Sequence, residues 1–142
     1  MRAVLRLALL TLLTLLFRAE ASHAQVDLAK ALVGRWEGEQ EFLVERSEDP
    51  KRTLVIESVT QTDGNWVANG RYGTSAGMGR VRIDVETSGA QPGLNWVSAS
   101  GAQYQLNLIQ DRYLVGKVIL TVGQNKRTTG SRDRTLKLEK VN

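Results

Sequence analysis

Apolar and polar side chains alternate along much of the chain, and a period of two is typical of β-strands that bury one face. The clearest case runs from Arg80 to Glu86, where Val81, Ile83 and Val85 alternate with charged side chains. Periodicity of this kind predicts short strands that each place one face in a core and the other face in water.

Eight alternating segments are separated by turn signals. A short helical turn at 28–32, capped by Asp27 and ended by Gly34, precedes them. Evenly spaced short strands predict an all-β fold, and eight strands in sequence close most simply as an antiparallel up-and-down β-barrel. We predict the strands at about 35–44, 52–61, 66–72, 80–86, 94–98, 104–108, 113–122 and 134–141.

Glycine and small polar residues mark the turns between these strands. Asp63-Gly64-Asn65 is a strong signal for a tight hairpin, and Gln110-Asp111-Arg112 predicts a second turn. The glycine-rich segment 73–79 predicts a flexible loop that covers one mouth of the barrel. This segment does not have the pattern of a phosphate-binding loop, because neither a Lys-Ser/Thr pair nor a helical pattern follows it.

The outward positions of the predicted strands carry charged side chains. An outer-membrane barrel would present apolar side chains to lipid at these positions. The pattern therefore predicts a barrel that is not embedded in a membrane. The outward charged residues include Glu37, Glu39, Glu41, Arg80, Arg82 and Asp84.

Residues 1–24 have the pattern of a secretory signal peptide. Arg2 and Arg6 precede an apolar run at 8–17, and Ser22-His23-Ala24 fits a small-x-small cleavage site. The apolar run is short for a membrane span. The prediction is a signal peptide at 1–24, a single mature domain at 25–142, and a periplasmic or secreted protein.

Composition narrows the partners of the predicted mature chain. The chain has no cysteine, so it can form neither a disulfide nor a lipid-anchored cysteine. Residues 25–66 hold 5 basic and 9 acidic residues, and residues 67–142 hold 11 and 5. This division predicts an acidic and a basic flank. The basic residues are not interleaved with aromatic residues as in nucleic-acid-binding proteins, so we predict no nucleic-acid partner.

The residue types present limit the chemistry. The one histidine, His23, lies in the predicted signal peptide, so the mature chain would have neither histidine nor cysteine. Ser-His-Asp and Cys-His mechanisms are thereby excluded, and the usual ligands of zinc, copper and haem are missing. The carboxylates lie mostly at outward positions or in loops, which disfavours a glycosidase-like pair. We therefore predict no enzymatic activity, no metal and no cofactor.

Strand parity and direction bring a set of inward side chains to the mouth opposite Trp36. Eight strands leave room for side chains or for one small ligand. An apolar cup with phenols and a guanidinium suits a small, partly apolar or acidic ligand, whereas the simpler interpretation is a filled core. Arg134 either turns inward, where it needs a partner, or precedes the last strand and lies in solvent. The predicted ligand-binding residues are Phe42, Tyr72, Trp96, Ser98, Tyr104 and Arg134.

The tripeptide Gly34-Arg35-Trp36 resembles the Gly-x-Trp signature of the calycins, which include lipocalins, fatty-acid-binding proteins and avidins. The resemblance implies that Trp36 packs at the closed end of an up-and-down barrel. Lipocalins also place a cation that follows the last strand over this tryptophan, and Lys140 is the cation at that end here. The resemblance therefore implies structural roles for Gly34, Trp36 and Lys140. It does not support biotin binding, because Gly38 stands where avidins have a polar residue.

The motif Leu32-x-Gly34-x-Trp36 also resembles the opening of small periplasmic barrels that inhibit secreted metalloproteases, and the basic segment 134–138 resembles their last strand. In that family an N-terminal segment enters the protease, which implies such a role for residues 25–29. The family carries a disulfide that this chain cannot form.

Three hypotheses about function follow. The leading one is a barrel that binds a small ligand at the mouth opposite Trp36. The second is a protein-binding module, such as a protease inhibitor or an envelope accessory protein, without a small ligand. The third is a structural domain within an assembly. A cavity at the mouth would favour the first hypothesis.

Overall fold

The computed structural model describes residues 27–41, 49–119 and 133–142. Residues 27–32 form a short helix, which packs its apolar side chains against the barrel core. The strands that follow are β1 (Gly34–Gln40), β2 (Lys51–Thr62), β3 (Asn65–Thr74), β4 (Gly77–Glu86), β5 (Gly93–Val97), β6 (Gln103–Ile109), β7 (Tyr113–Ile119) and β8 (Asp133–Val141).

Each strand pairs antiparallel with the next along the chain, and β8 returns to pair with β1. Trp36 lies opposite Leu54 on one side and opposite Lys140 on the other. This closed order confirms the predicted eight-stranded antiparallel up-and-down barrel with a short N-terminal helical turn. Closure leaves β1 and β8 without an exposed edge.

Two hairpin turns form where the sequence predicts them. Asp63 and Gly64 join β2 to β3 with φ values of 51° and 80°, and Gln110 and Asp111 follow β6 with φ values of 54° and 52°. Two successive residues with positive φ make a turn whose twist matches that of the flanking strands. Local turn chemistry therefore determines both connections.

The prediction of a flexible loop at 73–79 is wrong. β3 continues to Thr74 and β4 begins at Gly77, so the connection is a two-residue turn at 75–76. Gly73 pairs with Met78, and Tyr72 pairs with Gly79. Glycine weakens a strand, but it still carries the backbone N–H and C=O groups that a ladder needs, so the hairpin extends through these residues.

The core fills the barrel from the helix end. Inward side chains from all eight strands are buried, together with Leu32 of the helix. Interdigitated aliphatic residues of this kind supply most of the favourable free energy of folding. The largest fully buried side chains are Trp36, Leu32, Leu54, Ile56, Ile83, Leu94, Leu106, Leu114, Leu136, Leu138 and Val118.

Two predictions lie outside the described residues. They are the signal peptide at 1–24 and the ligand-binding role of Phe42. Within residues 27–41, 49–119 and 133–142, the structure contains no helix with the length and apolar character needed to cross a membrane.

Candidate functional site

The closed end of the barrel is organised around Trp36. Its side chain is fully buried, and its Nε1 donates a hydrogen bond of 2.9 Å to the carbonyl oxygen of Leu32. Lys140 Nζ lies 5.3 Å from the centroid of the Trp36 ring and donates hydrogen bonds to the carbonyl oxygens of Lys30 and Ala31. Lys140 thereby joins β8 to the end of the helix, where carbonyl groups lack partners within the helix.

Gly34 makes room for this arrangement. Its backbone φ is +138°, a value that residues other than glycine rarely adopt. A Cβ there would lie 3.1 Å from Lys140 Cε. Partial burial lowers the pKa of Lys140 below its usual value of 10.5, and the nearby charge of Asp111 opposes this shift. The spacing Gly34-x-Trp36 thus has a physical reason at this end of the barrel.

Three of the predicted ligand-binding residues form one aromatic cluster, which we define as Tyr72, Trp96 and Tyr104. The Trp96 and Tyr104 rings are stacked, with centroids 4.5 Å apart and an interplanar angle of 4°. The Tyr72 ring meets both of them edge-on, at 5.5 Å from Trp96 and 4.9 Å from Tyr104. Trp96 and Tyr104 lie opposite each other on β5 and β6, whereas Tyr72 reaches them from β3.

Two polar atoms in the aromatic cluster are buried and have no hydrogen-bond partner of good geometry within residues 27–41, 49–119 and 133–142. They are Tyr72 Oη and Trp96 Nε1, on side chains that are 9% and 4% exposed. A buried donor or acceptor without a partner costs about 1–3 kcal/mol of free energy. Such atoms in a native protein call for an explanation, such as a bound ligand or ordered water.

Gly79 is an exposed position on the inner face of β4, beside the aromatic cluster. Gly79 lies directly opposite Tyr72 and shares the inward parity of Ile83 and Val85, which are buried. A Cβ built at Gly79 would meet no atom within 4 Å, and the same is true at Gly77. The inner face of β4 opposite Tyr72 therefore opens to solvent at the mouth, where a side chain or a ligand group could be placed without a clash among the described residues. The alternation with Ile83 and Val85 could have identified Gly79 from the sequence.

Two arginines lie on the inward parity of their strands near the aromatic cluster. Arg134 is half-buried and belongs to β8, which begins at Asp133, so its position within the last strand is confirmed. It lies opposite Val118, which in turn lies opposite Tyr104. Arg52 was missed by the sequence prediction, although it shares the parity of Leu54. Its guanidinium donates to the carbonyl oxygens of Asp49 and Lys51.

The hydroxyl of Ser98 serves the turn between β5 and β6. Its Oγ lies 2.9 Å from Ser100 Oγ and accepts a 3.2 Å hydrogen bond from the backbone N–H of Ala102. The Ser98 backbone N–H also donates to the Ala102 carbonyl. The contacts of Ser98 are therefore those of a turn residue, whereas Tyr72, Trp96 and Tyr104 contact one another.

A groove of about 630 Å³ lies elsewhere, on the outer rim between β1, β2 and the β3–β4 turn. Several of its charged side chains have partners within it: Arg35 pairs with Glu37, and Ser75 donates a 3.1 Å hydrogen bond to Asp49. A backbone hydrogen bond from Lys51 lowers the pKa of Asp49 below its usual value. Because its lining is open to solvent and Asp49, Arg35 and Glu37 already have partners, this groove is a weaker candidate than the aromatic cluster, whose unpartnered polar atoms are buried.

Replacing Tyr72 by phenylalanine is expected to raise the free energy of unfolding by about 1 kcal/mol, because it removes a buried hydroxyl that has no partner. Burial and the neighbouring Tyr104 phenol raise the pKa of Tyr72 above its usual value of 10.0, and Arg52 partly opposes this rise. The unfolded chain therefore ionises Tyr72 first, so wild-type stability should fall as pH rises above about 10.

Urea unfolding of wild type, Tyr72→Phe and Tyr113→Phe at neutral pH and above pH 10 tests this expectation. Tyr113 faces outward on β7, near the cations of Lys137 and Arg112. Tyr72→Phe should flatten the alkaline loss of stability, and the control should leave it unchanged. If Tyr72→Phe lowered the free energy of unfolding by more than about 1 kcal/mol at neutral pH, the Tyr72 hydroxyl would have a hydrogen-bond partner in the folded protein.

The described residues contain no group of three or more His, Cys, Asp and Glu side chains that could hold a metal ion. Comparisons with protein-family models, with curated proteins and with solved structures find no match to this chain. The candidate site therefore depends on the geometry of the barrel itself.

Proposed function

We propose that the protein is a periplasmic or secreted binding barrel that holds a small, partly apolar ligand at the mouth opposite Trp36. The observation that carries this proposal is the pair of buried, unpartnered atoms Tyr72 Oη and Trp96 Nε1 beside the open space at Gly79. Binding pockets combine an apolar lining with a few polar groups that orient the ligand. The aromatic cluster has both features.

The two unpartnered atoms favour a particular ligand chemistry. An indole N–H only donates, and a protonated phenol can donate as well. A tyrosine phenol is protonated at neutral pH, and burial raises the pKa of Tyr72 further above its usual value. A ligand that fits would therefore bring acceptor atoms, such as carbonyl or ether oxygens, on a body that packs against aromatic rings. The half-buried Arg134 on the inward side of β8 makes an acidic group on the ligand compatible with the site.

The first experiment identifies a natural ligand. The protein is purified from its native host and extracted under denaturing conditions, and the extract is analysed by mass spectrometry. One small molecule per chain, with an apolar body and acceptor atoms, is the expected result. A protein without any bound molecule would leave the proposal dependent on the binding measurement that follows.

That measurement tests the location of the site. We expect the fluorescent probe 1-anilinonaphthalene-8-sulfonate to bind the wild-type protein and the Gly79→Phe variant to bind it at least about tenfold more weakly, because the phenyl ring occupies the space beside Tyr72. The matched control is Val97→Phe, which adds a phenyl ring at a side chain that is 62% exposed.

The control should bind the probe within about twofold of wild type, and thermal unfolding should show that both variants fold. An equal loss of probe binding in Gly79→Phe and Val97→Phe would indicate a general effect of an added phenyl ring. Undiminished binding to a folded Gly79→Phe protein would place the probe elsewhere and contradict the proposed site.

A further inference from the structure

Half of β4 has a strand partner on one side only. β5 pairs with Asp84, Val85 and Glu86, whereas residues 77–83 pair with β3 alone within the described part of the chain. If the register continued, Arg82 would lie opposite Val97, but β5 ends there. The chain then turns, with a hydrogen bond from the Gly101 backbone N–H to the Ser98 carbonyl. β4 and β5 therefore separate toward the mouth of the barrel.

The backbone groups along this half of β4 alternate in direction. Thr74 and Gly77 flank the two-residue turn, and residues in that position exchange hydrogen bonds with each other. Alternation along an antiparallel ladder then directs the N–H and C=O groups of Met78, Arg80 and Arg82 away from β3. We call these three residues the β4 edge. They form a row of strand-pairing groups at which Arg80 and Arg82 are exposed and Met78 is half-buried.

The side chains of the β4 edge carry positive charge that the described residues do not neutralise. Arg80 and Arg82 are exposed and have neither a hydrogen bond nor an ion pair within residues 27–41, 49–119 and 133–142. Arg71 lies directly opposite Arg80, and it forms a 2.9 Å ion pair with Glu57. Like charges opposite each other on adjacent strands are destabilising, so carboxylates placed here would relieve repulsion as well as add attraction.

We propose that the β4 edge binds an extended acidic segment of a partner protein as an added strand. Main-chain hydrogen bonds to the edge provide affinity, and side chains at alternate positions provide specificity. Carboxylates at alternate positions of the segment would face Arg80 and Arg82. The apolar residues between them would face the side of β4 that carries Gly79 and Val81.

A second copy of this chain fits the edge poorly. The strand with the acidic outer face, β1, carries Glu37 and Glu39, and it is already paired on both sides by β2 and β8. Pairing two β4 edges would bring arginines against arginines, and such like-charge contacts are unfavourable. The occupant that the charges favour is therefore a different protein. The charged side chains that define this surface, Arg80 and Arg82, lie on the outer face of β4, so binding of the segment does not require a small ligand, although its apolar side chains would share the Gly79 side of β4 with the small-ligand site.

The test uses the full mature protein and a fluorescent peptide of four Glu-Val repeats. We expect binding at low salt, measured by fluorescence anisotropy, that weakens as salt is added. A Lys-Val peptide of the same length should not bind. A Glu-Val peptide methylated on alternate backbone nitrogens should lose binding by about tenfold or more, because it cannot complete the ladder.

Amide hydrogen exchange locates the contact. The backbone N–H groups of Met78, Arg80 and Arg82 should exchange rapidly in the protein alone and become protected when the Glu-Val peptide binds. Arg82→Glu should weaken binding by about fivefold to tenfold. The control Lys137→Glu makes the same charge change at an exposed position on β8 and should alter binding by less than about twofold.

Several results would overturn the proposal. One is absence of binding, and another is protection confined to other strands. Equal binding of the methylated peptide, or equal loss in Lys137→Glu, would reduce the interaction to general charge attraction. Concentration-dependent dimers of the protein alone, with protection of the same three amides, would identify a second copy as the occupant.

Discussion

Replacing Gly116 by alanine is expected to lower the free energy of unfolding by about 3 kcal/mol or more, although the change adds a single methyl group. Gly116 lies on the inward parity of β7, opposite Leu106. A Cβ there would lie 1.9 Å from the carbonyl oxygen of Gln105, an atom of the neighbouring backbone. The two strands would have to separate, which would disturb the ladder that closes the barrel.

Gly79→Ala is the matched control for this measurement. Gly79 also has inward parity within its strand, but a Cβ there would meet no atom within 4 Å. We expect a change within about 1 kcal/mol, and its sign should be neutral or favourable because alanine restricts the unfolded chain. Urea unfolding followed by circular dichroism measures both variants. Equal destabilisation would show that glycine is needed for strand conformation in general and that the close approach at Gly116 is not the cause.

The same close approach recurs at two other inward glycines of the barrel. A Cβ at Gly38 would lie 1.9 Å from the Lys137 carbonyl oxygen, and one at Gly70 would lie 2.0 Å from that of Val55. Glycines within strands mark sharp bends and close backbone contacts in barrels. Interruptions of the hydrophobic alternation by glycine therefore have a structural cause in this protein.

Trp36→Ala is expected to lower the free energy of unfolding by about 4 kcal/mol, because it empties a fully buried site at the closed end. It also removes the hydrogen bond that Trp36 Nε1 donates to the Leu32 carbonyl. The Lys140 ammonium, 5.3 Å from the Trp36 ring centroid, would lose its aromatic contact. Each loss acts at the joint between the helix, β1 and β8.

Trp66→Ala provides the comparison, because Trp66 is only half-buried at the edge of the same core. Its loss should be clearly smaller, since less apolar area is returned to water. Trp36→Phe should fall between wild type and Trp36→Ala, because phenylalanine keeps most of the buried area but lacks the indole N–H. If Trp66→Ala proved as costly as Trp36→Ala, the closed end would not be the more important of the two sites.

The two proposals concern different parts of the mouth and can fail separately. The ligand proposal depends on the interior, where the aromatic cluster leaves Tyr72 Oη and Trp96 Nε1 unpartnered. The docking proposal depends on the outer side of β4, where Arg80 and Arg82 accompany strand-pairing groups. Gly79→Phe fills the space of the first site, whereas Arg82→Glu reverses a charge that only the second site requires. A protein that bound both partners would combine two of the hypotheses that the sequence left open.

The candidate site was only partly accessible to sequence reasoning. Parity correctly assigned Tyr72, Trp96 and Tyr104 to the inside, because alternation depends only on local chain geometry. Tyr72 contacts the Trp96 and Tyr104 rings across the barrel, because β3 is not a neighbour of β5 or β6 in the sheet. Alternation along one strand does not predict such a contact. Arg52 also has the inward parity of Leu54. It was not identified as an inward residue because it is the first residue of the predicted strand at 52–61.

The sequence by itself determined the number of strands, their inward and outward faces and two of the turns. These features follow from local rules, namely the period of two along a strand and the backbone preferences of residues such as Asp63 and Gly64. Only the tertiary structure decided that β4 separates from β5, that Tyr72 meets the Trp96 and Tyr104 rings and that Gly79 has no close neighbour among the described residues. Closure of the barrel brings together residues far apart in the chain, and the distances between such residues depend on how all eight strands tilt and pair.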